Sequence, residues 1–419
     1  MSSKKRLLAF LVALLGFAHA AQAQNTARIL LKVEPGSKHF WCRYTLRLPA
    51  GAAPAPILLN LNRSFRVLSV RSPRVRQVVT KPYWYAGFQD TLQGITLHYP
   101  AGDQRPRQIT VTYEGTLTAR YATEQVLEFS RNTVWVPFLP YKEDELTGYQ
   151  LDVQVPAAYT VVSTRPPSSH RAGRFTFRGT TSAIEPTALI SRDFQQLVSA
   201  QPGPPITVVK AGALLPADTL LLAQTKRIVA FYNQTIGRRD TIPRFTVLLP
   251  GTNRNAAGLL DNAVDITYSD FDVRKRDELL ILAHEISHKW WSYGSISSYE
   301  EWMNEAFATY SSLLYLKASG DTTGFRTELN QRLASAAGAP AIIGFDKTTH
   351  YYPTARRVVY AKGTAVLHAL HTRLGDEPFL RILATTAAQK TATTEGFLTL
   401  VGQEAGPETQ RWLRYQLTH

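Results

Sequence analysis

The sequence predicts a protein of the α+β class with two domains, an all-β domain first and a mixed, mainly helical domain second. Short alternating strands run from Arg28 to Ile190, a Pro/Gly-rich segment follows at 201–205, and the chain after Asp321 has mostly helical periodicity. A length of 419 residues suits two domains with sizeable cores. With 44% apolar and 19% charged residues, the composition is that of an ordinary globular protein.

The first domain, predicted for residues 24–200, is identified by its strand pattern. Apolar and polar residues alternate in runs such as 29–33, 57–61 and 109–113, and turn residues such as Pro35-Gly36 separate such runs. At least ten runs of this kind can be counted. Because each strand has one apolar face to bury, we expect a β-sandwich or a saddle-shaped β-domain.

The second domain is predicted for residues 206–419, after a linker at 201–205. Residues 218–236 have helical periodicity, and residues 244–250 read as a strand. A further strand ends at Tyr268, two helices follow, and from Asp321 the chain is mostly helical up to an amphipathic segment at 409–415. The order of strands before helices predicts a mixed domain rather than a second all-β unit.

The first 23 residues have the pattern of a secretory signal peptide. Basic residues at 4–6 precede an apolar stretch at 7–18, and a small-x-small site at 21–23 comes directly before Gln24. The apolar stretch is too short to cross a bilayer comfortably, and no other segment is long enough. We expect a cleaved signal peptide, export to the periplasm or the extracellular space, and no transmembrane segment.

Charge and cysteine content narrow the range of partners. The net charge is +15, but the basic residues are dispersed and no nucleic-acid-binding motif is present, so we expect no nucleic-acid partner. Cys42 is the only cysteine, which rules out a disulfide within the chain. It lies in a strand-like run and is predicted to be a small buried core residue.

The segment His284-Glu285-Ile286-Ser287-His288 predicts a zinc site. On a helix, residues four apart share a face, so His284 and His288 can bind one ion. A zinc ion with three protein ligands keeps a fourth position for water and lowers the pKa of that water to about 7. Glu285 lies beside this face and is the candidate general base. Glu305, on a second helix, is the candidate third ligand.

The surroundings of the motif favour a buried site over a solvated helix face. The stretch 277–283 before it is helical and largely apolar, and Trp290 and Trp291 continue the apolar surface after it. A second helix start, Asn304-Glu305-Ala306-Phe307-Ala308, follows within twenty residues. We therefore expect one Zn²⁺ per chain.

Taken together, the motifs between residues 258 and 363 resemble the aminopeptidase N family of gluzincins, which includes the leukotriene hydrolases. The matching segments occur in the family's order: Gly258-Leu259-Leu260-Asp261-Asn262 with the strand 264–268, His284–His288 with Trp290, Asn304–Ala308, and Tyr360-Ala361-Lys362-Gly363. The resemblance implies a thermolysin-like catalytic domain, a bound Zn²⁺ ion and hydrolysis of peptide substrates from the amino terminus. It also selects Glu305, rather than Glu300 or Glu301, as the third zinc ligand.

The resemblance further assigns substrate-binding roles. Asp261, with Asn262 and Gly258 on the same loop, would hold the α-amine of the substrate, which is what makes an exopeptidase. Tyr360 would donate a hydrogen bond to the oxyanion formed during hydrolysis, with Tyr351 and Tyr352 as substitutes. Without the family, the Asp261-Asn262 pair is equally typical of an ordinary turn.

The sequence departs from the family's pattern in three respects. Sixteen residues separate His288 from Glu305, fewer than is usual in the family, so the intervening loop is shorter. Asp261 stands where the family has glutamate, one methylene longer. We also expect a short form without the family's large helical C-terminal domain, and hence a cleft open to larger peptides.

Two other functions remain open from the sequence. The altered loop at Asp261 is compatible with a zinc endopeptidase or a narrowly specific peptidase. A non-catalytic peptide-binding protein on the same fold is the alternative outside enzymes, although the complete set of His284, Glu285, His288, Glu305 and Tyr360 favours catalysis.

Overall fold

The computed structural model describes residues 25–51, 56–88, 90–103, 105, 107–347 and 349–419. The predicted signal peptide, residues 1–23, lies outside the described residues. Within the described ranges, no helix combines the length and the apolar character that crossing a membrane requires.

The first domain is built almost entirely from β-strands, as the alternating sequence pattern predicts. Its strands are β1 (Thr26–Glu34), β2 (His39–Leu48), β3 (Ile57–Leu61), β4 (Arg66–Arg71), β5 (Gln77–Tyr85), β6 (Asp90–His98), β7 (Arg107–Thr116), β8 (Val126–Phe129), β9 (Leu146–Gln154), β10 (Thr160–Val162), β11 (Ser169–Arg171), β12 (Arg174–Ser182) and β13 (Ala188–Ser191). They form a seven-stranded sheet in the order β11-β12-β9-β1-β2-β7-β4 and two three-stranded sheets, β10-β13-β8 and β3-β6-β5.

Alternate side chains of the large sheet form the core of this domain. In β1 and β2 every second residue is buried, including Ile29, Leu31, Phe40 and Cys42. Cys42 is fully buried, as predicted, and burial raises the pKa of its thiol to about 12. Because the buried faces of the sheets pack on one another, the β-domain has its own hydrophobic core.

The second domain combines one sheet with a set of helices. Its strands are β14 (Phe194–Val198), β15 (Ile206–Ala211), β16 (Phe245–Leu249), β17 (Ala256–Leu259) and β18 (Ala263–Ile266). Its helices are α1 (Pro216–Gln234), α2 (Arg276–Ser287), α3 (Trp302–Ala318), α4 (Thr322–Ala336), α5 (Tyr352–Arg356), α6 (Gly363–Leu374), α7 (Asp376–Ala388) and α8 (Thr394–Thr418), and a π-helix spans Arg357–Lys362.

The five strands pair in the order β14-β15-β16-β18-β17, with β17 at one edge. β14 and β15 form an antiparallel hairpin, from Phe194 opposite Ala211 to Val198 opposite Thr207. The residues predicted as a linker, 201–205, are therefore the connection of this hairpin. Both of its strands belong to the second domain's sheet, so the change of domain comes before Phe194 and not at 201. The Pro/Gly-rich composition of 201–205 correctly indicated a turn, but this turn is not the boundary between the domains.

Helix α3 forms the centre of the second domain. Fourteen of its seventeen residues are buried, and its neighbours are α2, α4, the π-helix and α6. Tryptophan and phenylalanine rings pack around it, with Trp291 and Trp302 both in contact with Phe307. A helix buried on all sides is held in place by its neighbours, so groups near its amino-terminal end are fixed with precision.

The two domains contact each other through hydrogen bonds between buried groups. Thr252 donates to the buried carboxylate of Glu128, and Thr246 donates to the carbonyl of Thr164 at 2.9 Å. The Leu260 amide donates to Glu185 at 3.0 Å. These bonds connect the β-domain to the sheet next to β17, and the cleft described below opens at this junction.

Candidate metal centre and active site

His284 and His288 lie at the carboxyl end of α2. The helix begins with Asp277 and Glu278 in its first turn, where carboxylates are stabilised by the helix dipole, and it buries Leu282, Ala283 and Ile286. Its last turn presents both histidines on one face, with their Nε2 atoms 3.1 Å apart.

Glu305, in the first turn of α3, completes a group of three ligand atoms. Its Oε2 lies 3.3 Å from Nε2 of His284 and 3.9 Å from Nε2 of His288. All three ligand atoms lie within 4.8 Å of one another. Two imidazole nitrogens and one carboxylate oxygen at this spacing fit a tetrahedral zinc ion with bonds of about 2.0–2.2 Å and one position left for water.

The electrostatics of this group also suit a cation. Burial by itself would raise the pKa of Glu305, but hydrogen bonding from His284 and the positive charge that both histidines can carry lower the pKa to about 2. Burial disfavours a charged His284, yet its bond to Glu305 and the carboxylates of Glu285 and Glu305 raise its pKa above the usual value. The site therefore holds negative charge and favours a positive ion.

Two partners that the sequence did not indicate orient the histidine rings. Nδ1 of His288 lies 2.6 Å from the carbonyl oxygen of Trp291, and Nδ1 of His284 lies 3.4 Å from Oγ1 of Thr309. A hydrogen bond from Nδ1–H to the Trp291 carbonyl leaves Nε2 of His288 unprotonated and free to bind metal. The Trp290-Trp291 pair thus contributes a backbone acceptor as well as apolar surface.

Glu285 is held by the backbone of β17. The amide of Gly258 donates to its Oε2 at 2.7 Å, and the same oxygen lies 3.8 Å from Nε2 of His288. A Cβ on residue 258 would lie 2.1 Å from the carbonyl oxygen of Glu285 and 2.6 Å from Cβ of His288. Gly258, predicted to bind substrate, therefore permits the close approach of β17 to α2 and orients the candidate general base.

Tyr360 lies on the π-helix Arg357–Lys362, a feature that the sequence pattern did not predict. Its ring is nearly parallel to that of His284, with centroids 6.3 Å apart. Burial and the nearby negative charge of Glu305 raise the pKa of Tyr360 well above its usual value, so its hydroxyl keeps its proton. Single π-turns often occur at functional sites, where they redirect a side chain.

The residues that follow Tyr360 have structural roles. The ammonium of Lys362 donates to the carbonyl oxygens of Ala339, Pro340 and His419. A Cβ on Gly363 would lie 2.5 Å from Cβ of Ala306, so this glycine lets the π-helix pack on α3 one residue after Glu305. Of the substitutes for Tyr360, Tyr351 is 78% exposed, whereas Tyr352 lines the cleft.

Asp261 and Asn262 do not lie where the prediction requires. Asp261 is only 2% exposed, and its carboxylate accepts hydrogen bonds from the guanidinium of Arg165 and, at 2.6 Å, from Thr164. Tyr149 and Arg244 are further neighbours, at 3.5 and 3.7 Å. Because this carboxylate faces the β-domain and is already bound, the prediction that it holds a substrate amine is wrong.

Asn262 follows Asp261 in the tight turn between β17 and β18. Its φ of 55° is in the left-handed region, which asparagine tolerates better than most residues. Neither residue is among those that line the cleft around the metal ligands. The alternative interpretation of an ordinary Asp-Asn turn is therefore the correct one.

Two connected cavities flank the metal ligands. One, of about 630 Å³, is formed by the second domain alone, and the other, of about 530 Å³, lies between the two domains. They share five lining residues: Asn255, Ala256, His284, Glu285 and Tyr360. An extended ligand can therefore lie in both cavities and cross the metal centre between them.

The cavity between the domains also contains charged residues that the sequence did not identify. Asp144 and Arg131 both line it. Burial raises the pKa of Asp144 to about 7, although the positive charge of Arg131 acts in the opposite direction. Neither residue belongs to a recognisable motif, and only the packing of the β-domain against the second domain brings them to the cleft.

Known proteins support this description of the site. Residues 259–412 match the peptidase family M1 domain. This match supports the resemblance of the chain to the aminopeptidase N-like gluzincins. The chain is 26% identical to aminopeptidase M1-B of Oryza sativa subsp. japonica over 175 residues. This aligned region covers 36% of this chain and 20% of that protein. The chain is also 25% identical over 181 residues to aminopeptidase N of Acetobacter pasteurianus, covering 39% of this chain and 50% of that protein.

Solved structures of M1 zinc metallopeptidases share the fold over nearly the whole chain. The crystal structure of an M1 zinc metallopeptidase from Deinococcus radiodurans has a TM-score of 0.70 at 18% identity and covers 94% of each chain. A mutant from the same organism bound to a Tyr-Ser-Ala substrate has a TM-score of 0.66 at 18% identity and also covers 94% of each chain. The gluzincin family implies a catalytic Zn²⁺ ion, and the donor set of His284, His288 and Glu305 fits that ion.

The chain spans half or less of the length of the curated relatives it matches. The region that matches the peptidase family M1 domain nevertheless includes five residues of the candidate site: His284, Glu285, His288, Glu305 and Tyr360.

We expect the Gly258→Ala variant to be less stable and less active than the wild type. The added methyl group must displace β17 from α2, and overpacking of this kind costs about 1–3 kcal/mol. Gly36→Ala is a matched control, because nothing lies within 4 Å of a Cβ at that position. Urea denaturation and turnover of a peptide substrate measure the two effects. Wild-type stability and turnover in the Gly258→Ala variant would show that the close approach is not required.

We expect Asp261→Asn to reduce stability without altering recognition of the substrate amine. The substitution removes the charge that Arg165 binds, and hydrogen bonds to charged groups contribute about 1.5–3 kcal/mol. Urea denaturation measures the loss of stability, and the ratio of activities on free and N-acetylated peptides measures recognition. A selective loss of activity on free peptides would restore the amine-binding role of Asp261.

Proposed function

We propose that this chain is a zinc-dependent aminopeptidase that removes amino-terminal residues from peptides. The observation that carries the proposal is the convergence of His284, His288 and Glu305 within 4.8 Å, with Glu285 and Tyr360 lining the cleft on both sides. The names of the relatives, aminopeptidases M1-B and N, support the same activity.

In this proposal His284, His288 and Glu305 would hold one Zn²⁺ ion, and a bound ion would supply a Lewis acid for the scissile carbonyl and a lower pKa for the attacking water. Glu285 accepts the proton of that water and later delivers a proton to the leaving amine. The amide of Gly258 keeps the Glu285 carboxylate directed towards the ligand histidines. Such proton transfer by a positioned side chain typically contributes a rate factor of about 10² to 10⁴.

Tyr360 stabilises the oxyanion in the same scheme. Its hydroxyl stays protonated over the physiological pH range and can donate a hydrogen bond to the oxygen on which negative charge develops. Removal of one such donor typically costs a factor of about 10² to 10³ in kcat. The π-helix supports this role because it turns Tyr360 towards the ring of His284.

The substrate amine needs a negative partner other than Asp261. Asp144 is our candidate, because it lines the cavity between the domains, which also contains Glu285 and the metal ligands. A peptide whose amino terminus lies beside Asp144 would extend across the metal centre into the other cavity. This orientation gives hydrolysis from the amino-terminal end.

The buried position of Asp261 favours a second candidate function, a zinc endopeptidase or a narrowly specific peptidase. If no group in the cleft binds the α-amine, peptides with a blocked amino terminus would be cut as well as free ones. The cavities are open to solvent on both sides of the metal centre, which is compatible with longer substrates.

We also propose that the protein is exported. The support is the sequence of residues 1–23, with its basic start, apolar stretch and small-x-small site. Mass spectrometry of the chain recovered outside the cytoplasm would test this, with an amino terminus at Gln24 as the expected result. A retained Met1 in that fraction would contradict it.

The decisive experiment compares the wild type with Glu285→Gln on peptides with free and N-acetylated amino termini. We expect one zinc ion per chain in both proteins by elemental analysis, because Glu285 is not a ligand. We expect hydrolysis of free peptides by the wild type only, with release of the amino-terminal residue detected by mass spectrometry.

Other outcomes would change the assignment. Cleavage of acetylated or internal bonds would favour the endopeptidase. Bound zinc with no turnover of any peptide would favour a peptide-binding protein, and absence of zinc would contradict the metal site itself.

We expect Asp144→Asn to lower kcat/KM for free peptides in a pH-dependent manner. With a pKa of about 7, the Asp144 carboxyl in the free protein becomes a carboxylate, and so attracts an ammonium, as the pH rises through about 7. The ratio of wild-type to variant kcat/KM should therefore increase across that range. Measurement of kcat/KM from about pH 6 to 7.5, where a peptide amine with a pKa of about 7.7–8.0 stays mostly protonated, provides the test. A ratio that stays constant with pH would contradict this role for Asp144.

A further inference from the structure

Arg356 is placed at the metal centre without a carboxylate partner. It is the last residue of α5, and its guanidinium carbon lies 4.3 Å from the centre of the Tyr360 ring. Its Nη1 donates to the Tyr352 hydroxyl at 3.2 Å. Among the described residues, no aspartate or glutamate forms an ion pair with it, and its side chain is exposed to the cavity of the second domain.

The other arginines of this cavity are already occupied. Arg332 lies 3.7 Å from a carboxylate oxygen of Glu328, and Arg357 donates to the carbonyl oxygens of Ser335 and Ala337. Arg356 differs from both because, among the described residues, its guanidinium is paired with no carboxylate or backbone carbonyl and donates only to the Tyr352 hydroxyl. A guanidinium presents five N–H donors in a planar fork that matches a carboxylate.

Both cavities are lined by charges of both signs, and each contains one group that suits one end of a peptide. Asp144 lines the cavity between the domains, and Arg356 lines the cavity on the other side of the metal ligands. A peptide lying in both has a positive amine at one end and negative charge further along the chain. The charges of the cleft match a peptide with its amino terminus at Asp144 and a carboxylate at Arg356.

The distance to Arg356 limits where that carboxylate can be. The guanidinium is 4.3 Å from the Tyr360 ring, and that ring is 6.3 Å from the ring of the zinc ligand His284. An extended peptide advances about 3.3–3.6 Å per residue, so the carboxylate belongs within about three residues of the cleaved bond.

We propose that Arg356 binds a substrate carboxylate on the leaving-group side of the cleaved bond, and so makes the enzyme selective for peptides with a negative charge there. The carboxylate is either the free carboxyl terminus of a short peptide or an acidic side chain. This rests on the proposed peptidase function and adds a substrate class to it.

The test uses two pairs of peptides that differ only in one charge. The first pair is Leu-Ala-Ala and its carboxyl-terminal amide, and the second is the amides of Leu-Ala-Glu and Leu-Ala-Gln. We expect the wild type to favour the charged member of at least one pair by about tenfold in kcat/KM, mainly through KM, as is typical of a charged hydrogen bond. The first pair reports a terminal carboxylate and the second an acidic side chain.

The variants are Arg356→Gln, Arg356→Lys and a control, Arg326→Gln. We expect Arg356→Gln to remove the preference and Arg356→Lys to restore part of it. Arg326 is exposed on α4, away from the cleft, so its replacement lowers the net charge equally without changing the preference.

A purely structural role for Arg356 gives a different result. If the guanidinium only positions Tyr360, Arg356→Gln lowers kcat equally for charged and uncharged peptides, and the proposal is overturned. A wild type that does not distinguish the members of either pair overturns it as well, while leaving the peptidase function intact.

Binding measurements separate failure of this proposal from failure of the function. Calorimetry on the zinc-loaded Glu285→Gln protein, with and without Arg356→Gln, measures affinity for the same four peptides in the absence of turnover. Tighter binding of a charged peptide that is lost with Arg356→Gln supports the carboxylate site even if the wild type hydrolyses nothing. Equal affinity for both members of each pair contradicts it.

Discussion

The packing of α2 against α3 is the constraint on which the site depends. The three candidate zinc ligands come from two helices, and their donor atoms meet only because these helices are in direct contact. Small side chains are fully buried on both helices, Ala283 on α2 and Ala306 and Ala308 on α3. Aromatic rings around Phe307 then fill the space beside them. A change in this packing would move Glu305 relative to the histidines and weaken the site without altering any ligand.

The same packing controls the groups that perform the chemistry. Gly258 lets β17 approach α2 closely enough for its amide to bind Glu285, and Gly363 lets the π-helix approach α3 closely enough for Tyr360 to face His284. In both places a side chain larger than hydrogen would collide with its neighbour. Gly258, predicted to contact substrate, and Gly363 of the Tyr360 motif therefore both act by allowing two elements to pack around the metal centre.

The contact between the domains has a different consequence. Asp261, at the turn after β17, is bound by Arg165 and Thr164 of the β-domain, so a residue in the position of a substrate ligand holds the domains together instead. The cleft obtains its charges from elsewhere, with Asp144 on one side and Arg356 on the other. In the proposed function, recognition of a peptide by its two charged ends would be divided between the β-domain and the helix preceding Tyr360.

The sequence by itself determined the order of the domains and the candidate zinc ligands. Alternation with a period of two is a local property of each strand, and the four-residue spacing of His284 and His288 is a local property of one helix, so neither depends on distant contacts. It also indicated Glu285 and Tyr360, because their motifs are short and continuous. The sequence pattern wrongly indicated a domain linker at 201–205. Proline and glycine occur both in linkers and in the turns of hairpins, and here they lie in the hairpin between β14 and β15.

Only the tertiary structure decided which charges reach the cleft. Asp261 and Asp144 both lie in turn segments, and nothing in their local sequence distinguishes a residue bound by Arg165 from one that lines a cavity. The π-helix and the stacking of Arg356 on Tyr360 likewise depend on how the chain packs against α3. Burial and ion pairing depend on how the two domains assemble. They decide the function of a charged side chain more than the local sequence around it does.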